Sequence, residues 1–174
     1  MAAMRALETP RLTLEPQTAA HADDMFVVLG DPAIYEFENE PPRSLEWLRQ
    51  RFTKLESRQS ADGGEQWLNW VIRVPGCGLI GYVQATLRRD GSATIAYELA
   101  SAYWGRGFAS EALRAMIDEL FARYDVRELS AVLKGANGRS LRLLERLGFA
   151  LAPPAMRTKR RIDVDELLMS RRLG

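Results

Sequence analysis

Apolar residues recur along this chain in two different periods, and the changes between them mark out its elements. Residues 11–15 alternate, with Leu12 and Leu14 between Arg11, Thr13 and Glu15, and then meet Pro16. That is the pattern of a half-buried strand. Residues 18–29 follow as a helix with Met25, Phe26 and Leu29 on one side. Residues 44–56 place Leu45, Leu48, Phe52 and Leu55 at three- and four-residue spacing, which predicts a second amphipathic helix. The connection "GDPAIYEFENEPPRS" is rich in turn formers, and "RQSADGGEQ" is a polar, glycine-bearing linker.

The middle of the chain changes to strand composition. "QWLNWVIRV", "GLIGYVQATL" and "SATIAYELA" are β-rich runs separated by "PGCG" and "RRDG", which read as hairpin turns. Helical spacing returns over residues 109–124, whose apolar face is Ala112, Leu113, Met116, Ile117, Leu120 and Phe121. "ELSAVL" is another strand and "NGRSLRLLERLGF" another helix, with Asn137 suited to its N-cap and Gly148 to its C′ position. "RTKRR", residues 157–161, is expected in a hairpin turn before a closing strand in "DVDELLMSRRL". A strand, crossover helix and next strand of this size form a βαβ unit, so at least one strand pair is parallel. The expected class is mixed α/β, with helices on both sheet faces.

Composition narrows the function without choosing it. A chain of 174 residues reads as one domain, 1–174, large enough for its own core. The formal charge of +1 gives no global footprint for nucleic acid. Cys77 stands alone and forms no internal disulfide, and no apolar run approaches a membrane span or a secretory leader. A cytoplasmic protein with no membrane or nucleic-acid partner is expected. His21 is the single histidine, so neither a metal site of recognisable spacing nor a nucleophile–histidine pair is expected. Trp67 and Trp70 are an odd number of positions apart and cannot share one face of a regular strand, which favours core packing over base stacking.

The segment "YWGRGFASEALRAM", residues 103–116, puts Gly105 and Gly107 at the mouth of a helix. Glycine weakens a helix unless its backbone is needed for something else. One such need is an anion on the bare N–H groups of the first turn, here Arg106, Gly107, Phe108, Ala109 and Ser110. A tight turn with close helix–sheet packing is the other reading. The Walker pattern is missing its Gly-Lys-Ser/Thr end, and the dinucleotide fingerprint is missing its third glycine, where Ser110 stands.

Trp104-Gly105-Arg106-Gly107-Phe108-Ala109 resembles the acyl-CoA pyrophosphate loop of the GNAT superfamily, Q/R-x-x-G-x-G/A, with Trp104 replacing the leading residue. The longer "YWGRGFASEAL", with Asn137, Ser140 and "LERLGF", is similar to the branch that acetylates ribosomal-protein N-termini, the RimJ/RimL type. The order of elements matches from about residue 10 to 173. The resemblance implies a GNAT-like, mostly antiparallel sheet splayed between the fourth and fifth strands, those ending at Leu99 and beginning at Glu128. It implies acetyl-CoA as co-substrate and no metal. Pantetheine would pair with the backbone of Tyr97 and Leu99, the pyrophosphate would rest on Arg106 to Ser110, and Leu99 N–H would polarise the thioester carbonyl. Asn137 would bond pantetheine or the loop, and Ser140 would lie near the sulfur.

Amide formation needs a neutral amine, a stabilised oxyanion and a route for protons. Glu98 alternates with Tyr97 and Leu99 and, by the resemblance, borders the acceptor cleft, so it is the candidate base; a structural carboxylate paired with an arginine is the other reading. Many relatives carry a glutamate earlier on this strand, where Ser92, Ala93 and Thr94 stand, and a tyrosine acid where Leu144 stands. Ser140 is left as the hydrogen-bond donor to the leaving thiolate. Glu36, Glu38 and Glu40 with Glu98 would favour a cationic amine, or form a solvated loop, whereas residues 157–161 would attract an acidic partner, or form an exposed turn. The expected activity is acetyl transfer to a primary amine, on a small molecule or a protein N-terminus. The alternative is a catalytically silent acyl-CoA-binding sensor or interaction module. A homodimer is left open.

Overall fold

The computed structural model describes residues 2–174. Its strands are β1 (Leu7–Glu8), β2 (Thr13–Pro16), β3 (Glu65–Val74), β4 (Gly78–Arg88), β5 (Ser92–Leu99), β6 (Glu128–Lys134), β7 (Ala150–Leu151) and β8 (Glu166–Arg172). They form one sheet in the order β1-β2-β3-β4-β5-β6-β8-β7, in which β5–β6 is the one parallel pair. The helices are α1 (Ala22–Val28), α2 (Leu45–Leu55), α3 (Phe108–Arg123), α4 (Gly138–Arg146) and α5 (Pro154–Lys159). None is long and apolar enough to cross a membrane.

The elements start where their caps predict. Ser44 accepts a hydrogen bond from Trp47 N–H at the head of α2, and Asn137 accepts one from Ser140 N–H at the head of α4. The first predicted helix opens instead with a 3₁₀ turn, Ala19–His21, whose His21 Nδ1 accepts from Thr18 N–H and whose Nε2 lies 3.6 Å from Glu15. His21 is thereby a capping group at the edge of the sheet.

The tail corrects the expectation for residues 157–161. They run from α5 into the turn after it, because Pro154 follows Pro153 and takes the first helical position, where its missing N–H costs nothing. The run is also tied down in part. Arg157 donates to the carbonyls of Glu166 (2.8 Å) and Asp163 (3.1 Å), and Arg160 donates to Thr94 Oγ1 (2.9 Å).

Two cores hold the sheet between them. Leu68, Trp70, Val83, Ile95 and Leu129 pack with Leu113, Met116, Ile117 and Leu120 of α3, and Leu143, Leu144 and Leu147 from α4 and its end join them. On the other face Val71 packs with Ala22 and Met25 of α1 and with Leu48 and Phe52 of α2. Trp70 is fully buried and donates its indole N–H to Arg5 O. Trp67, on the opposite face, is half-buried, as the odd spacing requires. Glu119 of α3 is 4 % exposed and holds Arg5 (2.7 Å) and Arg123 (2.8 Å), which pins the N-terminal segment to the helix.

The sheet comes apart in its middle. β5 pairs with β6 only through Ser92–Thr94 against Glu128–Ser130, after which residues 95–99 leave β6. On the other edge of β5, pairing to β4 continues through Leu99 opposite Gly81. A bulge lies at this end: β3 pairs Ile72 with Gly81 but Arg73 with Leu79, so Ile80 is an extra residue that bends β4. Gly81 is required there, because a Cβ would stand 2.1 Å from Glu98 O. The expected splay is thus present, between β5 and β6.

Candidate active site

α3 begins at the open end of this gap. A 3₁₀ turn, Ser101–Tyr103, leads to Gly105 at φ 73° and to Gly107, the N-cap, at φ 80°. Both conformations are left-handed and disfavour a side chain. The first bond into the helix is Glu111 N–H to Gly107 O, so the N–H groups of Phe108, Ala109 and Ser110 are the open donors of the first turn. Two guanidinium groups attend them. Arg106 lies over the Tyr103 ring at 5.5 Å, and Arg11 lies over Phe108 at 4.4 Å while donating to Arg106 O at 2.9 Å. Glu111, the one acid of the first turn, is engaged by Thr9 Oγ1 (2.8 Å) and Arg11 Nε (3.0 Å). Open donors, the helix dipole and flanking cations fit a phosphate group. Arg11 carried no signal in the sequence; it meets the loop only when the turn between β1 and β2 reaches α3.

The exposed edge of β5 is oriented by its pairing. Ala100 N–H donates to Ile80 O, so the even-numbered residues Glu98 and Ala96 turn their backbone groups to β4. Tyr97 and Leu99 therefore direct theirs into the gap. Trp104, at the position where the family pattern has Gln or Arg, donates its indole N–H to Leu99 O at 2.8 Å. The guanidinium of Arg139 stacks over the same ring at 3.5 Å. Asp31 braces the adjoining turn, accepting from Ser101 N–H (2.7 Å) and from Ala33 N–H (3.0 Å) at the head of another 3₁₀ turn, Pro32–Tyr35.

A cavity of about 900 Å³ runs from the glycine turn through the gap and onto the sheet face below α2. Tyr97, Glu98, Leu99, Gly107, Phe108, Ala109, Ser110, Asn137 and Ser140 all line it. Arg106 lies beside it. Of the three loop glutamates, Glu38 and Glu40 line the cavity and Glu36 does not.

Glu98 and Glu38 are the perturbed carboxyls of this space. Burial and the nearby charge of Glu38 push Glu98 up to about 7, against the opposing pull of Arg139. Glu38 is raised in turn by burial and by Glu166. Tyr35 and Tyr82 are raised by burial and then by Glu98, Tyr35 to about 12, and so remain neutral phenols. Across the gap Tyr97 O–H donates to Ser140 Oγ at 2.7 Å, and Ser140 N–H donates to Asn137 Oδ1 at 3.2 Å. Leu144 is 1 % exposed, packed in the core, and offers no proton. Among the described residues no group of three or more His, Cys, Asp or Glu is placed to hold a metal ion.

Known proteins share this plan. Residues 11–150 match the acetyltransferase (GNAT) domain family. An uncharacterised N-acetyltransferase, p20 of Bacillus licheniformis, is 27 % identical over 148 residues, covering 84 % of this chain and 83 % of the relative. In fold, the chain is similar to the ribosomal L7/L12 α-N-protein acetyltransferase RimL in complex with coenzyme A: TM-score 0.80, 16 % identity, 97 % of this chain and 98 % of that one covered. It is similarly close to the ribosomal-protein-S5-alanine acetyltransferase of Vibrio fischeri, with a TM-score of 0.79, 17 % identity and 97 % of each chain covered.

Proposed function

The chain belongs to the GNAT acetyltransferase family, and from that premise we propose that it moves an acetyl group directly from acetyl-CoA to a primary amine. One observation carries the reading: the open N–H groups at Gly107 and the desolvated Glu98 line the same cavity, on opposite sides of the β5 edge.

The pyrophosphate rests on the first turn of α3, between Arg106 and Arg11. Pantetheine follows β5, using the backbone of Tyr97 and Leu99, with Asn137 on the far wall. Leu99 N–H, at the end of the strand, polarises the thioester carbonyl as an oxyanion donor does. The amine enters from the α2 side and attacks the carbonyl carbon. A C–N bond forms, the C–S bond breaks, and the proton shed by the amine passes to Glu98, directly or through water. A carboxylate at about 7 is a suitable acceptor near neutral pH. Ser140 O–H donates to the departing sulfur, and its oxygen is held for this by Tyr97. That hydroxyl does the work for which many relatives use a tyrosine at the position of Leu144.

The leucine there is also what favours a second reading, an acyl-CoA-binding module without chemistry. CoA release from acetyl-CoA, measured over a panel of primary amines and short peptides, separates them. Saturable, amine-dependent release that drops about a hundredfold in Glu98→Gln supports transfer. Tight acetyl-CoA binding with no release for any amine supports the module.

A further inference from the structure

The acceptor half of the cavity has a floor of side-chain amides. On the sheet face that carries Glu98, Asn69 of β3 stands directly opposite Gln84 of β4, and Gln84 opposite Ala96 of β5. Gln17, just after β2, extends the row, since its N–H donates to Asn69 O at 2.9 Å. Glu98 and its cross-strand partner Tyr82 occupy the next row, two positions along the strands, or about 7 Å away.

Gln17 is 3 % and Asn69 4 % exposed, and both line the cavity with Gln84. Gln17 Nε2 is buried and has no hydrogen-bond partner. The surrounding bonds to this row are to backbone atoms, such as Arg58 Nη2 to Gln17 O at 2.5 Å. The residues of the row line the cavity, and their carboxamides take no part in these bonds. A buried donor without a partner is costly, so such a row is kept only where something in the cavity pairs with it. Each carboxamide offers two donors and one acceptor and no charge. Ala96, the shortest member, leaves room above itself beside Glu98.

We propose that Gln17, Asn69 and Gln84 form a subsite for an uncharged amide group of the acceptor, placed beside the amine that Glu98 receives. This rests on the transferase reading for the role of Glu98, and on the row itself for the amide. An amide matches a carboxamide floor with both its N–H and its C=O. A carboxylate at the same place would meet the like charges of Glu98 and Glu38, with the Arg58 guanidinium behind Gln17 opposing them.

The test is a matched set that differs in one group: phenylalaninamide, phenylalanine and 2-phenylethylamine. The aromatic walls, Tyr35 and Trp47 among them, accommodate the common ring. Calorimetric titration of the protein and rates of CoA release are both read. Phenylalaninamide is expected to bind at least tenfold tighter than either analogue, as two neutral hydrogen bonds allow. In Gln84→Met, which keeps length and removes the amide, that ratio falls toward one; Gln17→Met serves as the second variant. Equal binding of the three compounds, or a ratio unchanged in both variants, overturns the subsite. Selective, Gln84-dependent binding with no CoA release upholds the subsite while removing the transferase reading, so the two failures are distinct.

Discussion

Tyr97 O–H and Ser140 Oγ meet at 2.7 Å, joining β5 to the helix that follows β6 across the only stretch where those strands do not pair. Burial raises the Tyr97 phenol above its ordinary value, so it is protonated and donates at neutral pH. Ser140 then has its own proton free for another acceptor. Tyr97→Phe is expected to lower kcat by about three- to tenfold with little change in KM for acetyl-CoA, in line with the loss of one positioned hydrogen bond. Ser140→Ala lowers it similarly, and the double variant is no worse than the more damaged single one, because both remove the same chain. Steady-state kinetics of the three proteins check this; full additivity would separate the two hydroxyls.

Gly107 offers a second test. Aspartate tolerates a left-handed backbone and caps helices well, so Gly107→Asp should fold. Its carboxylate then occupies the open N–H groups and repels phosphate. Acetyl-CoA affinity is expected to fall tenfold or more with the melting temperature nearly unchanged. Retained affinity would place the pyrophosphate elsewhere.

The raised Glu98 ties rate to pH. If it is the base, kcat/KM rises as pH passes through about 7 and levels above it, until the amine itself dominates. The stability sign is opposite. The folded protein holds this proton more tightly than the unfolded chain, so stability is lost as pH climbs from the ordinary glutamate range to about 7. Glu98→Gln is therefore expected to have a more favourable melting temperature relative to wild type at pH 8 than at pH 5. Thermal melts at the two values measure it.

Asp31 joins the acceptor-side turn to the turn before the glycines by two bonds to backbone N–H groups. Bonds to charged groups are the stronger kind, and this side chain is half-buried. Asp31→Ala is expected to cost about 1–2 kcal/mol in urea unfolding, while Asp31→Asn costs less. Those bonds hold its carboxyl below the usual aspartate range, so their contribution is full above that range and is lost as pH falls from it through the lowered value.

What could be read from the sequence was whatever is encoded within a few residues. Ser44 and Asn137 announce their helices because a cap bonds three positions ahead, and β3 to β5 announce themselves by composition between turns. The glycine turn was legible for the same reason. Its partners were not: Arg11 contacts residues 95 and 100 positions away, and Asp31 reaches 70 positions to Ser101, where no local periodicity connects them. β1 and β7, at two residues each, are too short to show alternation. α5 was hidden by its charge, although Pro153-Pro154 marked its start. The carboxamide row was invisible because its members are far apart in sequence, Gln17 just after β2, Asn69 on β3 and Gln84 on β4.

Most sheets have two edges, each a danger because a foreign chain can add to it. Here residues 95–99 make a third edge, enclosed by the molecule's own helices and partly spoken for where Trp104 takes Leu99 O. A guest that carries amide groups along a thin chain can extend this inner border as a strand extends a sheet. An edge turned inward in this way is closed to another sheet and open to a thin guest alone.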